Sequence, residues 1–330
     1  MRHIPFIYEY EDLLRHEDLL DAETPKEIED LQPTSICYDS RKIEPGAFFI
    51  CKGEGFKPEY VESAFEAGAI CYISEVRYPG GRPAIIVSDI RRAMALVSEL
   101  FYGTEDMPVK LIGVTGTKGK STTLYFIKSI LDAWYASLGK KPAGYISTID
   151  TFDGVEFFES HLTTPESPDL HRHFRNAIDS GLEAFIMEVS SQGLKYDRVY
   201  GVQFDVGVFL NYGVDHVGRG EHEDEEDYFS SKMRFFSHCK NVLLNMDADR
   251  HERIAQAAGS ADCILTTYSA GGDPRADYFA SDIEKEGECI AFTIRNRQAE
   301  SVMRLSYSIP GSFNTENAMA AALICRYLGV

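Results

Sequence analysis

Residues 109–123 read Val-Lys-Leu-Ile-Gly-Val-Thr-Gly-Thr-Lys-Gly-Lys-Ser-Thr-Thr, an apolar run that breaks into glycines and ends on a lysine and three hydroxyls. That order suits phosphate chemistry. Gly116 and Gly119 let the chain bend so that the N–H groups of Thr117, Lys118 and Gly119 approach phosphate oxygens, and a following helix adds its N-terminal dipole. Lys120 then neutralises the β- and γ-phosphates and Ser121 offers its hydroxyl to Mg²⁺, with Thr122 counted among the nucleotide-binding residues. The strict phosphate-loop pattern wants glycine five places before Gly119, where this chain has Val114; its glycines fall at 113, 116 and 119. The strand, turn and helix context favours an ATP site over a plain glycine-rich turn.

A phosphate loop needs a further Mg²⁺ ligand from a neighbouring strand. Glu188 ends the apolar run Ala184–Glu188, and the carboxyl ends of strands are where α/β sheets place ligands, although acids at strand ends are common. His216 follows a second apolar run, 204–210; a lone histidine there is either a ligand or a hydrogen-bonded structural residue. Lys232 has Tyr228, Phe229, Phe235 and Phe236 at helical spacings, so its stem lies on an apolar face. Such a lysine either snorkels to solvent or, desolvated and neutral, reacts with CO₂ to a carbamate that ligates a second Mg²⁺.

These residues need a scaffold. Short apolar runs at 47–50, 70–73 and 84–87 alternate with helical patterns in residues 1–107, a small α/β domain. A break at Gly103–Pro108 precedes the second domain, 108–330, where runs at 109–115, 184–189, 204–210, 242–244 and 263–266 read as strands of a mostly parallel sheet flanked by helices. Leu124, Ile127, Ile130, Leu131 and Trp134 form one stripe of the helix after the loop, and residues 316–330 carry another helical pattern. With 33 basic against 52 acidic side chains, the net charge of −19 disfavours nucleic acid and anionic membranes as partners. The acidic stretch Glu221–Asp227 reads as a solvated loop or helix start. No apolar segment of spanning length and no signal peptide is present, so a cytoplasmic, non-inserted protein is expected. Seven scattered cysteines with no CxxC pair point to reduced thiols.

In order along the chain, Asp39-Ser-Arg with Pro45-Gly, the loop 113–123, Leu162-Thr-Thr-Pro-Glu, Met187-Glu-Val-Ser-Ser, Asp215-His, Tyr228-Phe-Ser-Ser-Lys, Asn245-Met-Asp and Gly311-Ser-Phe-Asn-Thr-Glu-Asn-Ala resemble the Mur ligases, and the MurE type in particular. The resemblance implies an ATP- and Mg²⁺-dependent, amide-forming ligase acting on UDP-MurNAc-L-Ala-D-Glu, and a monomer. By position it implies phosphate and metal contacts at Lys120 and Ser121, metal ligands at Glu188 and His216, a carbamylated lysine at Lys232, and Asn314 and Asn317 near the nucleotide. Ser40 and Arg41 fall where the family holds the UDP-sugar, and Thr163, Thr164, Ser190 and Arg198 where it holds the muramoyl-peptide. Lys57-Pro58 replaces the usual Asp-Gly, Tyr196 stands where many relatives carry glutamine, and Gln192 where many carry histidine. The family's third, Rossmann-like domain is expected beyond residue 330, so this chain alone is expected to bind without turning over. Folylpolyglutamate- and cyanophycin-type ligases share the ATP core but lack the Asp39-Ser-Arg domain; a non-catalytic nucleotide binder would not need the metal set.

Overall fold

The computed structural model describes residues 3–22, 24–53, 55–213, 218 and 222–330. The chain divides into two compact units, 1–106 with 166–175 and 196–201, and 107–165 with 176–195 and 202–330. The first begins with α1 (Ile7–His16), β1 (Leu20–Ala22), β2 (Ser35–Cys37), β3 (Ala47–Ile50), α2 (Glu59–Glu66), β4 (Cys71–Ser74), β5 (Ala84–Val87) and α3 (Ile90–Tyr102). Its sheet runs β1-β5-β4-β3-β2, parallel except for β1 at the edge.

Both faces of this sheet are covered, which is why β3, β4 and β5 are continuously apolar instead of alternating. Phe48 and Ile50 turn to one face with Ile73, Ile85 and Val87, under Tyr10 and Leu14 of α1 and Met94 and Val97 of α3. Phe49, Tyr72 and Ile86 turn to the other, under Val61 and Ala64 of α2. Helix α3 starts on Asp89, whose carboxylate accepts the N–H groups of Arg91 and Arg92 at 2.9 and 3.1 Å, and stops at Gly103, φ +59°.

The second unit opens with β6 (Lys110–Thr115), α4 (Lys120–Ser137), β7 (Gly144–Ile146), β8 (Asp150–Phe152) and β9 (Phe157–Glu159). After α5 (Ser167–Asp179) come β10 (Ala184–Glu188), α6 (Ser191–Lys195), β11 (Val206–Phe209), α7 (Glu225–Met233), β12 (Asn241–Asn245), α8 (His251–Gly259), β13 (Ile264–Ser269), β14 (Tyr278–Glu286), β15 (Cys289–Asn296), β16 (Ser301–Tyr307) and α9 (Asn314–Tyr327). The sheet order is β16-β15-β14-β13-β12-β11-β6-β10-β7-β8-β9. Strands from β14 through β7 run parallel, as the apolar runs predict, while β15 and β16 at one edge and β8 and β9 at the other are antiparallel. Those strands escape the pattern reading because they are short or lie on an exposed face, and the far end of their neighbour β14 is likewise polar, Ser-Asp-Ile-Glu-Lys-Glu.

Helices α4 and α9 share one face of the sheet, Leu124, Ile127 and Leu131 meeting Met319, Leu323 and Ile324 over Ile112 and Val208. The expected stripe on α4 needs one change. Trp134 is 40% exposed and Tyr135 takes its place in the core, because 124, 127, 131 and 135 advance by whole turns while 134 falls to the side. On the other face the rings of Phe204, Phe209, Phe235 and Phe236 are buried. Gly113 is a mid-strand glycine and not part of the loop: a Cβ there would stand 3.0 Å from the Phe235 ring and 3.1 Å from Phe204. None of the seven cysteines is disulfide-bonded. Among the described residues no helix is long and apolar enough to cross a membrane.

Candidate active site

The turn between β6 and α4 is built as its glycines require. Gly116 has φ +149° and Gly119 φ +84°; a Cβ on Gly116 would press the Leu210 Cβ at 3.0 Å, and one on Gly119 would stand 2.5 Å from Asn317 Oδ1. The chain after β11 braces the loop through backbone and amide groups. Thr117 N donates to the Asn211 carbonyl at 3.1 Å, Lys118 N to Asn211 Oδ1 at 2.9 Å, and Asn211 Nδ2 returns a bond to the Lys118 carbonyl at 3.1 Å. Thr117 Oγ1 also lies 3.0 Å from the Tyr228 hydroxyl and accepts from Gly213 N at 3.0 Å.

Two lysines converge on this turn. Lys120 Nζ donates to the carbonyls of Gly116 and Thr117 at 3.0 and 3.2 Å, and Lys232 Nζ to the same Gly116 carbonyl at 2.9 Å. Lys232 does not snorkel: it is 2% exposed, its Nζ 5.1 Å from the Tyr228 ring centroid. Its helix, α7, starts in the acidic stretch, with Asp224 capping Asp227 N at 2.8 Å. Asp227 accepts from Lys195 Nζ at 2.6 Å and lies 3.3 Å from His222 Nδ1; burial alone would raise its carboxyl, but Lys195, the Glu223 N–H and His222 hold it well below the usual range. His222 Nε2 meets Ser191 Oγ at 2.9 Å, and burial lowers the imidazole's affinity for a proton.

Glu188 lies on β10 opposite Val114 of β6, two residues before Gly116, and is 1% exposed. Thr148, just after β7, donates to it from N at 2.9 Å and from Oγ1 at 3.0 Å. Thr163 Oγ1 lies 3.2 Å from Thr148 Oγ1, Thr164 Oγ1 donates to the Glu188 carbonyl at 3.0 Å, and Ser190 N donates to Thr164 Oγ1 at 3.0 Å. Thr163, Thr164, Ser190 and Glu188 are thus one hydrogen-bonded cluster. Ser121 and Thr122 occupy the first turn of α4. Asn317 accepts from Thr123 Oγ1 at 3.1 Å and donates to Asn314 Oδ1 at 3.0 Å, which places the start of α9 against the loop. His216 lies outside the described residues. The donors here, a buried carboxylate, a hydroxyl and a lysine that a carbamate would turn into an oxygen ligand, are the hard oxygens Mg²⁺ prefers. Thr148, Asn211 and Tyr228 were not singled out as site residues; Asn211, directly after a buried strand, carried the clearest signal.

In the first unit Ser40 and Arg41 form a single 3₁₀ turn after β2, capped by Asp39, and Arg41 folds back on that carboxylate through two bonds of 2.8 Å, which hold Asp39 at about 2. With Tyr38, Lys52, Phe56 and Tyr60 they line an open cavity of about 580 Å³. Arg198 pairs with Glu166 at 3.1 Å, and Glu166 also holds Lys52 at 2.9 Å and Arg91 at 3.1 Å. Burial opposes ionisation of both Glu166 and Lys52, but the three cations outweigh it at Glu166, which is held below the usual carboxylate range. The Tyr196 ring covers Arg91 at 5.0 Å and Arg198 at 5.9 Å, a use for tyrosine where many relatives carry glutamine.

An open parallel sheet whose strand β6 runs through a glycine turn into α4, with lysines on the turn carbonyl, is a phosphate-loop domain. Within that class the chain belongs to the Mur ligase family, whose middle domain matches residues 114–325. It is 40% identical over 303 residues to the UDP-N-acetylmuramoyl-L-alanyl-D-glutamate–L-lysine ligase of Streptococcus suis, an alignment covering 91% of this chain and 59% of that protein. It is 37% identical over 339 residues to the UDP-N-acetylmuramyl-tripeptide synthetase of Limosilactobacillus reuteri, covering 96% and 64%. A solved UDP-N-acetylmuramoyl-L-alanyl-D-glutamate–2,6-diaminopimelate ligase shares the fold, with a TM-score of 0.82 at 24% identity over 99% of this chain and 64% of that one. The MurE-type resemblance therefore holds, and the chain spans about three fifths of the length of these relatives.

Proposed function

We propose that this chain carries the ATP and nucleotide-sugar sites of a MurE-type ligase, which phosphorylates the terminal carboxylate of UDP-MurNAc-L-Ala-D-Glu so that an amine can displace phosphate and close an amide. The observation that carries this reading is the meeting of Lys120 and Lys232 on the Gly116 carbonyl at 3.0 and 2.9 Å, inside a glycine turn shaped for phosphate. In phosphoryl transfer most of the catalytic effect comes from positioning and neutralising charge. The backbone N–H groups at the start of α4 would receive the β-phosphate while Asn211 keeps those of Thr117 and Lys118, and Lys120 would leave the turn carbonyls for the γ-phosphate. Asn314 and Asn317 hold the start of α9 at the nucleotide's side.

Ser121, Glu188, His216 and Lys232 in its carbamate form would hold Mg²⁺, which would supply charge neutralisation for the phosphates. Thr148 holds the Glu188 carboxylate in place with its two hydrogen bonds. Ser40 and Arg41 would hold the UDP end of the acceptor, and Thr163, Thr164, Ser190 and Arg198 its muramoyl-peptide end. The Streptococcus suis relative is named for L-lysine, which makes L-lysine the first amine to try.

Calorimetric titration with UDP-MurNAc-L-Ala-D-Glu, with and without Mg²⁺ and a non-hydrolysable ATP analogue, tests the reading. Binding that weakens about tenfold or more in Arg41→Ala supports it, since a charge-assisted bond is worth about that much. ATP-analogue binding with no affinity for the sugar peptide would leave the phosphate loop without its acceptor and sink the ligase assignment.

A further inference from the structure

Strands β2 and β3 are parallel neighbours, and the cavity of the first unit opens where their carboxyl ends release Ser40-Arg41 and Lys52, the position at which α/β sheets receive ligands. Its wall is aromatic: Phe56 stands edge-on to Tyr60 with centroids 5.5 Å apart, and Tyr38 lies across from Lys52. Its charge is less evident. Asp39 and Arg41 are bound to each other and cancel, so Lys52 sets the sign of the cavity floor.

Lys52 is unusually well fixed for a lysine. Its side chain is 15% exposed, and Nζ stands 2.9 Å from Glu166 and 4.8 Å from the centroid of the Tyr38 ring. Glu166 does not satisfy it alone, because the same carboxylate oxygen that meets Lys52 also meets Arg91, and the other oxygen meets Arg198. A cation whose counter-charge is shared retains attraction for a second anion, and one already held in place loses little side-chain entropy on binding it. Glu166 is the last residue of the Leu162-Thr-Thr-Pro-Glu segment, in which the ligase reading gives tasks to Thr163 and Thr164 but none to Glu166.

We propose that Lys52 takes a phosphate oxygen of the nucleotide sugar in this cavity, and that Glu166 is the positioning residue that presents it. This rests on the nucleotide-sugar reading of the Ser40-Arg41 cavity and adds the group that distinguishes a nucleotide from a nucleoside. Tyr38, Phe56 and Tyr60 supply apolar faces for a base, and Lys52 the charge for the phosphate beside it.

Calorimetry with UDP and with uridine, on wild type, Lys52→Met, Lys52→Gln and Lys52→Arg, decides the matter. The expected result is a loss of about tenfold or more in UDP affinity for both neutral variants, recovery in Lys52→Arg to within a few-fold, and uridine affinity unchanged throughout. Circular dichroism melts confirm that the variants compared are folded, and the glutamine variant serves if the methionine one is not. UDP bound equally well by wild type and a folded neutral variant would overturn the role of Lys52 while leaving the cavity reading intact. A wild type that binds neither UDP nor uridine would overturn the cavity reading itself, and this inference with it.

Discussion

The phosphate loop of the second unit and the cavity of the first both lie at carboxyl ends of parallel strands, yet they are made of different material. Apart from the two lysines on the Gly116 carbonyl, the loop is braced by uncharged groups: the Asn211 amide and carbonyl against Thr117 and Lys118, and Asn317 against Thr123. Beside the cavity the work is done by ions, one carboxylate, Glu166, gathering Lys52, Arg91 and Arg198. Neutral hydrogen bonds hold a backbone shape at any pH and are weakly sensitive to salt. An ion cluster holds positive charge where an anion is wanted, but it fails badly when one member is removed.

The largest effect should therefore come from Glu166→Ala, which leaves three half-buried cations facing one another. Breaking a buried ion cluster costs about 3–5 kcal/mol, and a urea-unfolding measurement should show a loss of that size. A loss below about 1 kcal/mol would mean that the cations reach solvent easily and that the contrast between the two regions is false. Gly119→Ala attacks the other region through its backbone. With φ at +84° and Asn317 Oδ1 only 2.5 Å from the added carbon, the turn must distort, at about 1–3 kcal/mol. Affinity for an ATP analogue should fall about 100-fold, measured by calorimetry, because misplaced N–H groups no longer converge on the phosphates. Asn317→Ala is gentler: it strands the Thr123 hydroxyl and the Asn314 side-chain Oδ1, a cost of about 1–3 kcal/mol in the same unfolding assay. Its stability loss should not change between low and high salt, whereas that of Glu166→Ala should.

The same difference in material explains what the sequence disclosed. A site shaped by backbone needs glycine wherever φ is positive or a Cβ would collide, so Gly116 and Gly119 had to appear at fixed spacing within one short segment. The buried parallel strands were legible for a similar reason, since packing on both faces of β3 or β10 leaves every position apolar. The cavity draws on residues 38, 40, 41 and 52 and the ion cluster beside it on 91, 166 and 198, and no local pattern ties Lys52 to Glu166. The resemblance could name Arg41 and Arg198 but not the carboxylate that Arg198 shares with Lys52. The polar far end of β14 and the antiparallel β15 and β16 were hidden by their exposed positions, whereas Gly113 fell within the strand read at 109–115 and makes room there for Phe235.

A finer test of the contrast uses pH. Buried titratable groups belong to the first unit's construction: His171 of α5 is 1% exposed, its Nδ1 lies 2.7 Å from Thr104 Oγ1, and burial pushes its pKa down to about 3. The unfolded chain binds that proton near 6.5, whereas the folded chain refuses it until near 3. Stability from this residue is therefore complete above about pH 6.5 and drains away as pH falls toward 3, at up to about 1.4 kcal/mol per pH unit. In His171→Gln the Thr104 contact can change by a fixed amount, but the side chain no longer titrates. Plotted from pH 7.5 down to 4, wild-type urea-unfolding free energies should fall more steeply than those of the variant, the gap changing by about 1 kcal/mol per pH unit below 6.5. Parallel curves would show that acid reaches His171 in the folded state and that the first unit's ionisable groups are not sealed in. Asn317→Ala against wild type supplies the control from the other region: with no titrating side chain at that position, its stability gap should stay constant over the same range.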